Sequence, residues 1–268
     1  MVLKRGSEGE LVKKIQIKLG VDPIGKFGPK TEEAVIAWQK KNGLTPDGVV
    51  GPATLEKMGI KVDAAVVTPA PAATKYSKAK IEETVKAKGY KWFEDKDFHL
   101  NIVGVRNSDT GKKVTNVFDD KLTLSYKEGG QWIYKEWTNT TDPGTKGVKE
   151  YHNAAGVARL VPGQYIDSHM LGLHQGKYEA LKQQKAVKVY RDANRDMTYD
   201  ETKIQEGIFG INIHKAGADS TYVENWSEGC QVFKRAADFE SFMAIARKAK
   251  AAGFKSFTYT LIESKDIK

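Results

Sequence analysis

The chain has 268 residues, 40% of them hydrophobic, which is enough to bury one large core or two modest ones. Its 43 Lys and Arg residues outnumber its 34 Asp and Glu residues, and the net charge of +9 favours anionic partners. No run approaches the roughly 18 apolar residues of a membrane span, and no basic and aromatic cluster resembles a platform for single-stranded nucleic acid. These patterns predict no membrane insertion and no nucleic-acid partner.

Residues 1–60 contain an internal repeat that predicts three short helices. A glycine turn followed by Gly-Pro-x-Thr occurs at 25–31 and again at 48–54. Threonine can cap a helix, so each turn is expected to introduce one. Ser7 and Glu10 have the spacing of a capping box at the start of the first helix. The segment is therefore predicted to form a small domain packed around Phe27, Trp38 and Leu44.

The same segment carries a set of short motifs. They are Leu3-Lys4-Arg5-Gly6-Ser7-Glu8-Gly9, Phe27-Gly28-Pro29-x-Thr31, Trp38-Gln39 and Asp47-Gly48-Val49-Val50-Gly51-Pro52-Ala53-Thr54. On these motifs the segment resembles the peptidoglycan-binding-like domain of cell-wall hydrolases. The resemblance implies peptidoglycan as the partner, with Trp38, Asp47 and Phe27 as wall-binding residues. A generic three-helix bundle is the alternative.

Residues 61–77 are rich in Ala, Pro and Thr and are predicted to be a semi-extended linker. Residues 78–268 then predict a β-rich mixed domain. Strands are expected near 99–105, 122–126, 132–137, 158–165, 187–190, 209–214 and 257–262, with helices at 81–88 and 238–251. Helical spacing puts Phe239, Phe242, Met243 and Ala246 on one face of the second helix. The whole chain is therefore expected to be α+β, with a three-helix N-terminal domain and no doubly wound parallel sheet.

Cys230 is the only cysteine, so it cannot form an intramolecular disulfide. A single cysteine with a histidine elsewhere in the chain is a candidate nucleophile and base, and His214 precedes it by sixteen positions. An adjacent imidazole is expected to take the thiol proton and stabilise the thiolate. Gly229 lets the backbone bend before Cys230, and the two amides are candidate donors to an oxyanion.

The residues around this pair form a recognisable pattern. Ile213-His214 is followed by Ser227-x-Gly229-Cys230, and Val161-Pro162-Gly163-Gln164-Tyr165 precedes both. The pattern resembles the catalytic motif of the L,D-transpeptidase (YkuD-like) family. That resemblance implies Cys230 as nucleophile, His214 as base, the Lys215 carbonyl as the group that orients the imidazole, and a catalytic domain of that fold type. Ser227 belongs to the implied catalytic motif.

Glu228 stands where that family has a second histidine, and Gln231 stands where Arg or Asn is common. A carboxylate that faced the sulfur would raise the thiol pKa; it could instead turn away or bind a substrate amine. Substrate contacts are predicted at Glu228, Trp226, Tyr165 and His174. A surface loop histidine is the alternative for His174.

No metal is expected in the catalytic centre, because the histidines lack the i, i+4 spacing of a zinc-hydrolase helix; a zinc peptidase is a minor alternative. Asp192, Asn194 and Asp196 have the alternating oxygens of a calcium loop, although Met197 replaces the needed glycine and Lys203 the usual glutamate. A solvated acidic turn is the favoured interpretation, with calcium as the alternative.

These observations predict a monomeric cysteine peptidase that degrades peptidoglycan, cutting stem-peptide or cross-link amides through a Cys230 thioester. The first residues lack the apolar run of a secretory signal, so we expect synthesis in the cytoplasm, an endolysin-like phage architecture and action at the bacterial wall or periplasm. A cross-linking L,D-transpeptidase and a non-catalytic wall-binding protein are the alternatives.

Overall fold

The computed structural model describes residues 3–44, 46–60, 74–109, 111–150, 153–200 and 202–268. The chain divides into two compact units, Met1–Ala73 and Thr74–Lys268. Over the described ranges the first unit is helical and the second combines helices with many strands, which confirms the predicted α+β class. No helix within these ranges is long and apolar enough to cross a membrane.

Among the residues that the structure describes, the first unit holds three helices, as the sequence predicted: α1 (Glu10–Leu19), α2 (Pro29–Lys41) and α3 (Pro52–Lys57). Helix α1 ends at Gly20, whose φ of 71° is a left-handed conformation that glycine adopts readily. The apolar faces meet in one core made of Leu11, Val12, Ile15, Phe27, Val35, Val50, Leu55 and Met58.

A buried glutamine braces each copy of the repeat. Gln16 accepts the Gly25 N–H at 2.8 Å and donates to the Lys26 carbonyl at 2.9 Å and the Thr31 hydroxyl at 3.0 Å. Gln39 makes the same three kinds of bond 23 positions later, and its carbonyl oxygen accepts the Gly48 N–H at 3.0 Å. The repeat seen in the sequence is therefore a repeat of buried hydrogen bonds.

The predicted helix caps in this unit are wrong. Gly28 and Gly51 are the N-cap residues of α2 and α3, each followed by a proline that suits the first helical position. The threonines lie inside the helices, where their hydroxyls bind the glutamine braces. Helix α1 begins after Gly9, and the Ser7 hydroxyl accepts the Lys4 N–H instead of capping it.

The predicted linker 61–77 extends too far. Residues 61–73 lie outside the described ranges, but the backbone N–H groups of Lys75 and Tyr76 donate to Glu136 at 2.8 and 3.0 Å. The Ser77 hydroxyl accepts the Lys80 N–H at 3.3 Å and caps the next helix. Residues 74–77 thus belong to the second unit.

The second unit is built around a closed eight-stranded barrel. Its helices are α4 (Lys78–Ala87), α5 (Thr145–Lys149) and α6 (Ala236–Ala251). Its strands are β1 (Asn101–Arg106), β2 (Asp120–Glu128), β3 (Gln131–Thr140), β4 (Val157–Leu160), β5 (Gly163–His174), β6 (Tyr178–Gln183), β7 (Val187–Asp192), β8 (Ile204–Gly207), β9 (Ile213–Lys215), β10 (Gln231–Phe233) and β11 (Phe257–Glu263). The barrel order is β1-β11-β5-β6-β9-β10-β3-β2, and β4-β7-β8 form a second sheet.

Two predicted strands differ from the structure. The segment 158–165 contains the end of β4 and the start of β5, which lie in different sheets, so the chain turns at Pro162. Of the segment 209–214, only its last two residues belong to β9. Gly210 within it has a φ of 75°, a left-handed conformation that interrupts extended backbone.

Helix α6 packs on the apolar core of this unit. Its predicted inward face is confirmed, because Phe239, Phe242, Met243 and Ala246 are all fully buried. The core also holds Ile213 and other inward-facing strand residues. Each Å² of apolar surface removed from water contributes about 25 cal/mol to the free energy of folding. The buried core therefore stabilises the barrel that holds β9 and β10.

A buried charge cluster lies at the end of β1. Arg106 is 1% exposed and donates to the Leu160 carbonyl at 2.9 Å and the Thr141 carbonyl at 3.0 Å. It also pairs with Asp142 at 2.8 Å, and Arg159 pairs with the same carboxylate at 2.9 Å. Burial favours the protonated acid, yet the two guanidinium groups hold the pKa of Asp142 below its ordinary value.

Candidate active site

Two short parallel strands bring the predicted nucleophile and base together. β9 pairs with β10, placing Ile213 opposite Gln231 and His214 opposite Val232. Cys230 immediately precedes β10, and side-chain alternation puts it on the same face as Val232 and His214. Strand spacing sets the Cα atoms of His214 and Cys230 about 8 Å apart. The two residues therefore lie on one face of adjacent strands.

The two faces of this strand pair differ. Ile213 and Phe233 point into the barrel core, whereas Cys230 packs outside it against a small cluster that includes Ala216 and Val232. Cys230 is partly exposed, whereas His214 is 3% exposed.

The hydrogen bonds of His214 define its tautomer. Nδ1 lies 2.9 Å from the Lys215 carbonyl, which can only accept, so Nδ1 carries the proton and Nε2 keeps its lone pair. The Tyr178 hydroxyl donates to the same carbonyl at 3.2 Å. Burial and the neighbouring His174 lower the pKa of His214 to about 3. The ring is thus a neutral imidazole with an unprotonated Nε2.

His174 joins this site, so the alternative of a surface loop is wrong. It is 8% exposed at the end of β5, and its ring stacks on His214 with centroids 4.1 Å apart. The Asn212 side-chain amide donates to His174 Nδ1 at 3.2 Å, while the amide oxygen accepts the Gln183 N–H at 2.9 Å. These bonds fix the His174 ring beside the candidate base.

The Cys230 thiol is protonated in this environment. It donates to the Gly210 carbonyl at 3.2 Å. Burial and the charge of Glu228 raise its pKa to about 11, against the lowering effect of the Asn212 backbone N–H. The expected thiolate beside an imidazole is therefore corrected: the resting pair is a neutral thiol and a neutral imidazole, and proton transfer must accompany attack.

Replacing Glu228 with glutamine is expected to lower the pKa of the Cys230 thiol, because a charge that opposes the thiolate is removed. In both proteins the rate of alkylation by iodoacetamide should increase tenfold with each unit of rising pH, as long as the pH is below the thiol pKa. It should be faster in the variant at each pH by up to about tenfold, the effect of one pKa unit. Glu240→Gln, at an exposed residue, serves as control. Identical pH profiles would refute the assigned role of Glu228.

Ser227 and Gly229 form the turn that presents the cysteine. The Ser227 hydroxyl donates to the Cys230 carbonyl at 2.9 Å and accepts the Gly229 N–H at 3.1 Å. Gly229 has a φ of 139°, and a Cβ there would lie 2.0 Å from the Ala158 carbonyl oxygen, so only glycine fits. Ser227 braces the turn from inside, being 1% exposed.

The predicted pair of oxyanion donors is reduced to one. The Gly229 N–H is engaged by Ser227, so that part of the prediction is wrong for this conformation. Over the described ranges, no acceptor binds the Cys230 N–H. The Cys230 amide is the donor that remains for a developing oxyanion.

A brace that sequence reasoning missed holds the connection between β9 and β10. The Asn116 side-chain oxygen accepts the Glu224 N–H at 2.7 Å and the Thr145 N–H at 3.1 Å. Gly144 donates its N–H to the Ser227 carbonyl at 3.0 Å. A Cβ at Gly147 would lie 2.5 Å from that carbonyl oxygen, so α5 packs tightly under the turn. In the sequence, only the Pro143-Gly144 pair indicates a turn at the place where this brace forms.

Of the two remaining residues predicted to contact substrate, one is available to a ligand and the other is not. Trp226 lies on the connection between β9 and β10 and is 44% exposed, so its ring is available to a ligand. Tyr165 is not: its hydroxyl donates to the Val161 carbonyl at 2.6 Å, and it lines a separate cavity of about 360 Å³ beside Pro162 and Lys188. The prediction of Tyr165 as a substrate contact is corrected on these contacts.

The wall-binding residues predicted in the first unit are mostly structural. Phe27 is 2% exposed within the core and cannot meet a surface ligand, so that prediction is wrong. Trp38 is partly buried against the same core. The Asp47 carboxylate accepts from Val49 N–H and the Gln39 side chain, both at 2.9 Å, and these bonds lower its pKa.

The suspected calcium loop is bonded as a turn. Asn194 Oδ1 accepts the Asp196 N–H at 3.0 Å, and Asp196 Oδ1 accepts the Thr198 N–H at 2.8 Å. Over the part of the chain that the structure describes, no group of three or more His, Cys, Asp or Glu side chains could hold a metal ion. Calcium at Asp192, Asn194 and Asp196 stays an untested alternative.

Comparison with known proteins identifies the first unit. Residues 8–58 match the family model described as a putative peptidoglycan binding domain, so the chain contains a domain of this family. A 64-residue stretch is 41% identical to the zinc D-Ala-D-Ala carboxypeptidase of Streptomyces albus G, covering 21% of this chain and 25% of that protein. The probable N-acetylmuramoyl-L-alanine amidase of Bacillus licheniformis is 39% identical over 64 residues, which cover 20% of this chain and 18% of that protein.

The chain thus spans a quarter or less of these two relatives. The solved L,D-transpeptidase from Xylanimonas cellulosilytica aligns over 98% of both chains with 18% identity and a TM-score of 0.27, a value too low to carry a conclusion about fold or function.

Proposed function

We propose that this protein is a cysteine peptidase of peptidoglycan, bound to the wall by its first unit and cleaving stem-peptide or cross-link amides with its second. The observation that carries the proposal is the pairing of β9 with β10, which places His214 and Cys230 on one face of adjacent strands. The Nδ1–H of His214 donates to the Lys215 carbonyl, which leaves the unprotonated Nε2 to accept the thiol proton.

In the first chemical step, His214 Nε2 takes the thiol proton while the sulfur attacks the carbonyl carbon of the scissile amide. A tetrahedral oxyanion forms, and the Cys230 N–H donates to it. Because thiol and imidazole are both neutral at rest, charge separates only as attack proceeds. The buried surroundings of His214 favour rapid return of that proton.

In the second step, the tetrahedral intermediate collapses. His214 gives its proton to the leaving amine, the carbon–nitrogen bond breaks and Cys230 holds a thioester. Attack by water regenerates the thiol and releases a carboxylic acid. Attack by the amine of another stem would form a new cross-link, which is the transpeptidase alternative.

Three observations support peptidoglycan as the substrate. Residues 8–58 match a peptidoglycan-binding domain. Two relatives of the matched stretch carry names of enzymes of wall peptides, a carboxypeptidase and an amidase. The net charge of +9 favours approach to an anionic envelope. With water as acceptor, the protein would act as a lytic enzyme of the endolysin kind.

The experiment is mass spectrometry of muropeptides released from purified walls in water enriched in oxygen-18. Hydrolysis predicts cleaved stems or cross-links that carry one heavy oxygen, with activity retained in EDTA. New cross-linked dimers without heavy oxygen would favour the transpeptidase. Binding to walls without any covalent change would overturn the proposal and leave a wall-binding protein, and loss of cleavage in EDTA would favour a zinc enzyme.

A further inference from the structure

A buried pair of side chains grips the peptide bond next to the candidate nucleophile. The Tyr259 hydroxyl donates to Gln231 Oε1 at 2.6 Å, and Gln231 Nε2 donates to the Gly229 carbonyl at 3.2 Å. Both side chains are fully buried. Both ends of the Gln231 side-chain amide have a suitable partner. Its NH2 group donates to the Gly229 carbonyl, which can only accept, and its oxygen accepts the proton of the Tyr259 hydroxyl.

The space for this arrangement is built into the barrel. A Cβ at Gly104 would lie 1.9 Å from the Tyr259 hydroxyl oxygen, so glycine there leaves the room that the hydroxyl needs. The Gln231 backbone N–H donates to the Asn212 carbonyl at 2.9 Å, which anchors the start of β10. The grip on Gly229 therefore starts from a rigid strand.

This grip fixes the direction of the Cys230 N–H. None of the described peptide bonds is cis, and in a trans peptide the C=O and N–H point in opposite directions. The Gly229 carbonyl points to Gln231 on the barrel side, so the Cys230 N–H points away from the barrel. Gly229 can adopt many backbone conformations, which makes an external restraint on this peptide consequential.

We propose that Gln231 and Tyr259 are positioning residues that hold the Gly229–Cys230 peptide with the Cys230 N–H aimed at the carbonyl oxygen of an acyl donor. The inference rests on the proposed function, since it assigns the oxyanion donor of that site. Without the grip, the peptide can rotate and present the Gly229 carbonyl to the oxyanion instead. Gln231 thereby serves acyl transfer through the backbone, without touching the substrate.

The test compares two reactions of Cys230 in the full chain. Acylation by p-nitrophenyl acetate forms a tetrahedral oxyanion, releases p-nitrophenolate and leaves an acetyl thioester; alkylation by iodoacetamide displaces iodide and forms no oxyanion. Tyr259→Phe and Gln231→Met should lower the ratio of acylation to alkylation rates by about tenfold to hundredfold, less than or comparable to the loss of one oxyanion donor. Reaction of Cys230→Ala gives the background from other nucleophiles.

Tyr199→Phe is the matched control, because it also removes a buried hydroxyl bonded to a carbonyl, that of Pro143. This control should keep the wild-type ratio. An unchanged ratio in both test variants, or an equal fall in the control, overturns the inference, as does a wild-type thiol that is alkylated but never acylated. Failure of the proposed function would look different: walls stay intact while the ratio still depends on Gln231 and Tyr259.

Discussion

Replacing Cys230 with alanine is expected to reduce cleavage of wall peptides by roughly 10⁴-fold or more, because no thioester can form. His214→Ala should cost about as much, since no other group takes the thiol proton. The double variant should be no worse than either single one, because residues that act as a unit are not additive. Release of new amino termini from purified walls measures all three rates.

The His214 variant should leave iodoacetamide alkylation nearly unchanged, because a neutral imidazole does not stabilise a thiolate by charge. His99→Ala is the control: this histidine bonds to Asp95 at 2.7 Å and stacks on Phe93, away from the strand pair. It should keep full activity. If Cys230→Ala still cleaved wall peptides, Cys230 would not be the nucleophile, and the reaction would have to use other residues of the chain.

Arg106→Met is expected to destabilise the second unit by about 3–5 kcal/mol, the cost of removing one partner from a buried ion pair. The change leaves Asp142 with one cation and deprives two buried carbonyls, those of Leu160 and Thr141, of their donor. For a unit of this size the melting temperature should fall on the order of 10 °C. Calorimetry of the full chain measures the shift.

Arg247→Met is the matched control, because this arginine pairs with Glu179 at 2.7 Å but is 47% exposed. Exposed pairs contribute about 1 kcal/mol or less, so its melting temperature should barely move. Equal effects of the two substitutions would mean that Arg106 is not held as a buried charge. A stable Arg106→Met protein would show that the barrel can repack around the lost group.

The sequence predicted best what depends on local patterns. The Gly-Pro-x-Thr repeat led to three helices, and the Phe239 face of α6 followed from helical spacing. The strands that matter most were harder, because β9 and β10 have three residues each and show no periodicity. Only the motif around Cys230 pointed to their pairing.

Other features depend on contacts between distant segments. Asn116 braces Glu224 from 108 positions away, and no local pattern links them. Phe27 looked like a ligand contact, yet the same aromatic ring fills the core of the first unit. His174 seemed to sit in a loop, but β5 continues through it and stacks it on His214. Each of these residue types can serve several roles, and in each case the tertiary contacts determine which role the residue has.

Parallel neighbours in a sheet must be joined by a long connection, and here residues 216–230 supply it. This connection carries the exposed Trp226, ends in the turn that presents Cys230, and is fastened from outside by Asn116 and Gly144. The barrel holds His214 on β9, whereas the position of Cys230 depends on both β10 and the fastened turn. Natural variation or design can therefore remodel the segment before Ser227 to admit a different peptide while the turn that presents the nucleophile is kept.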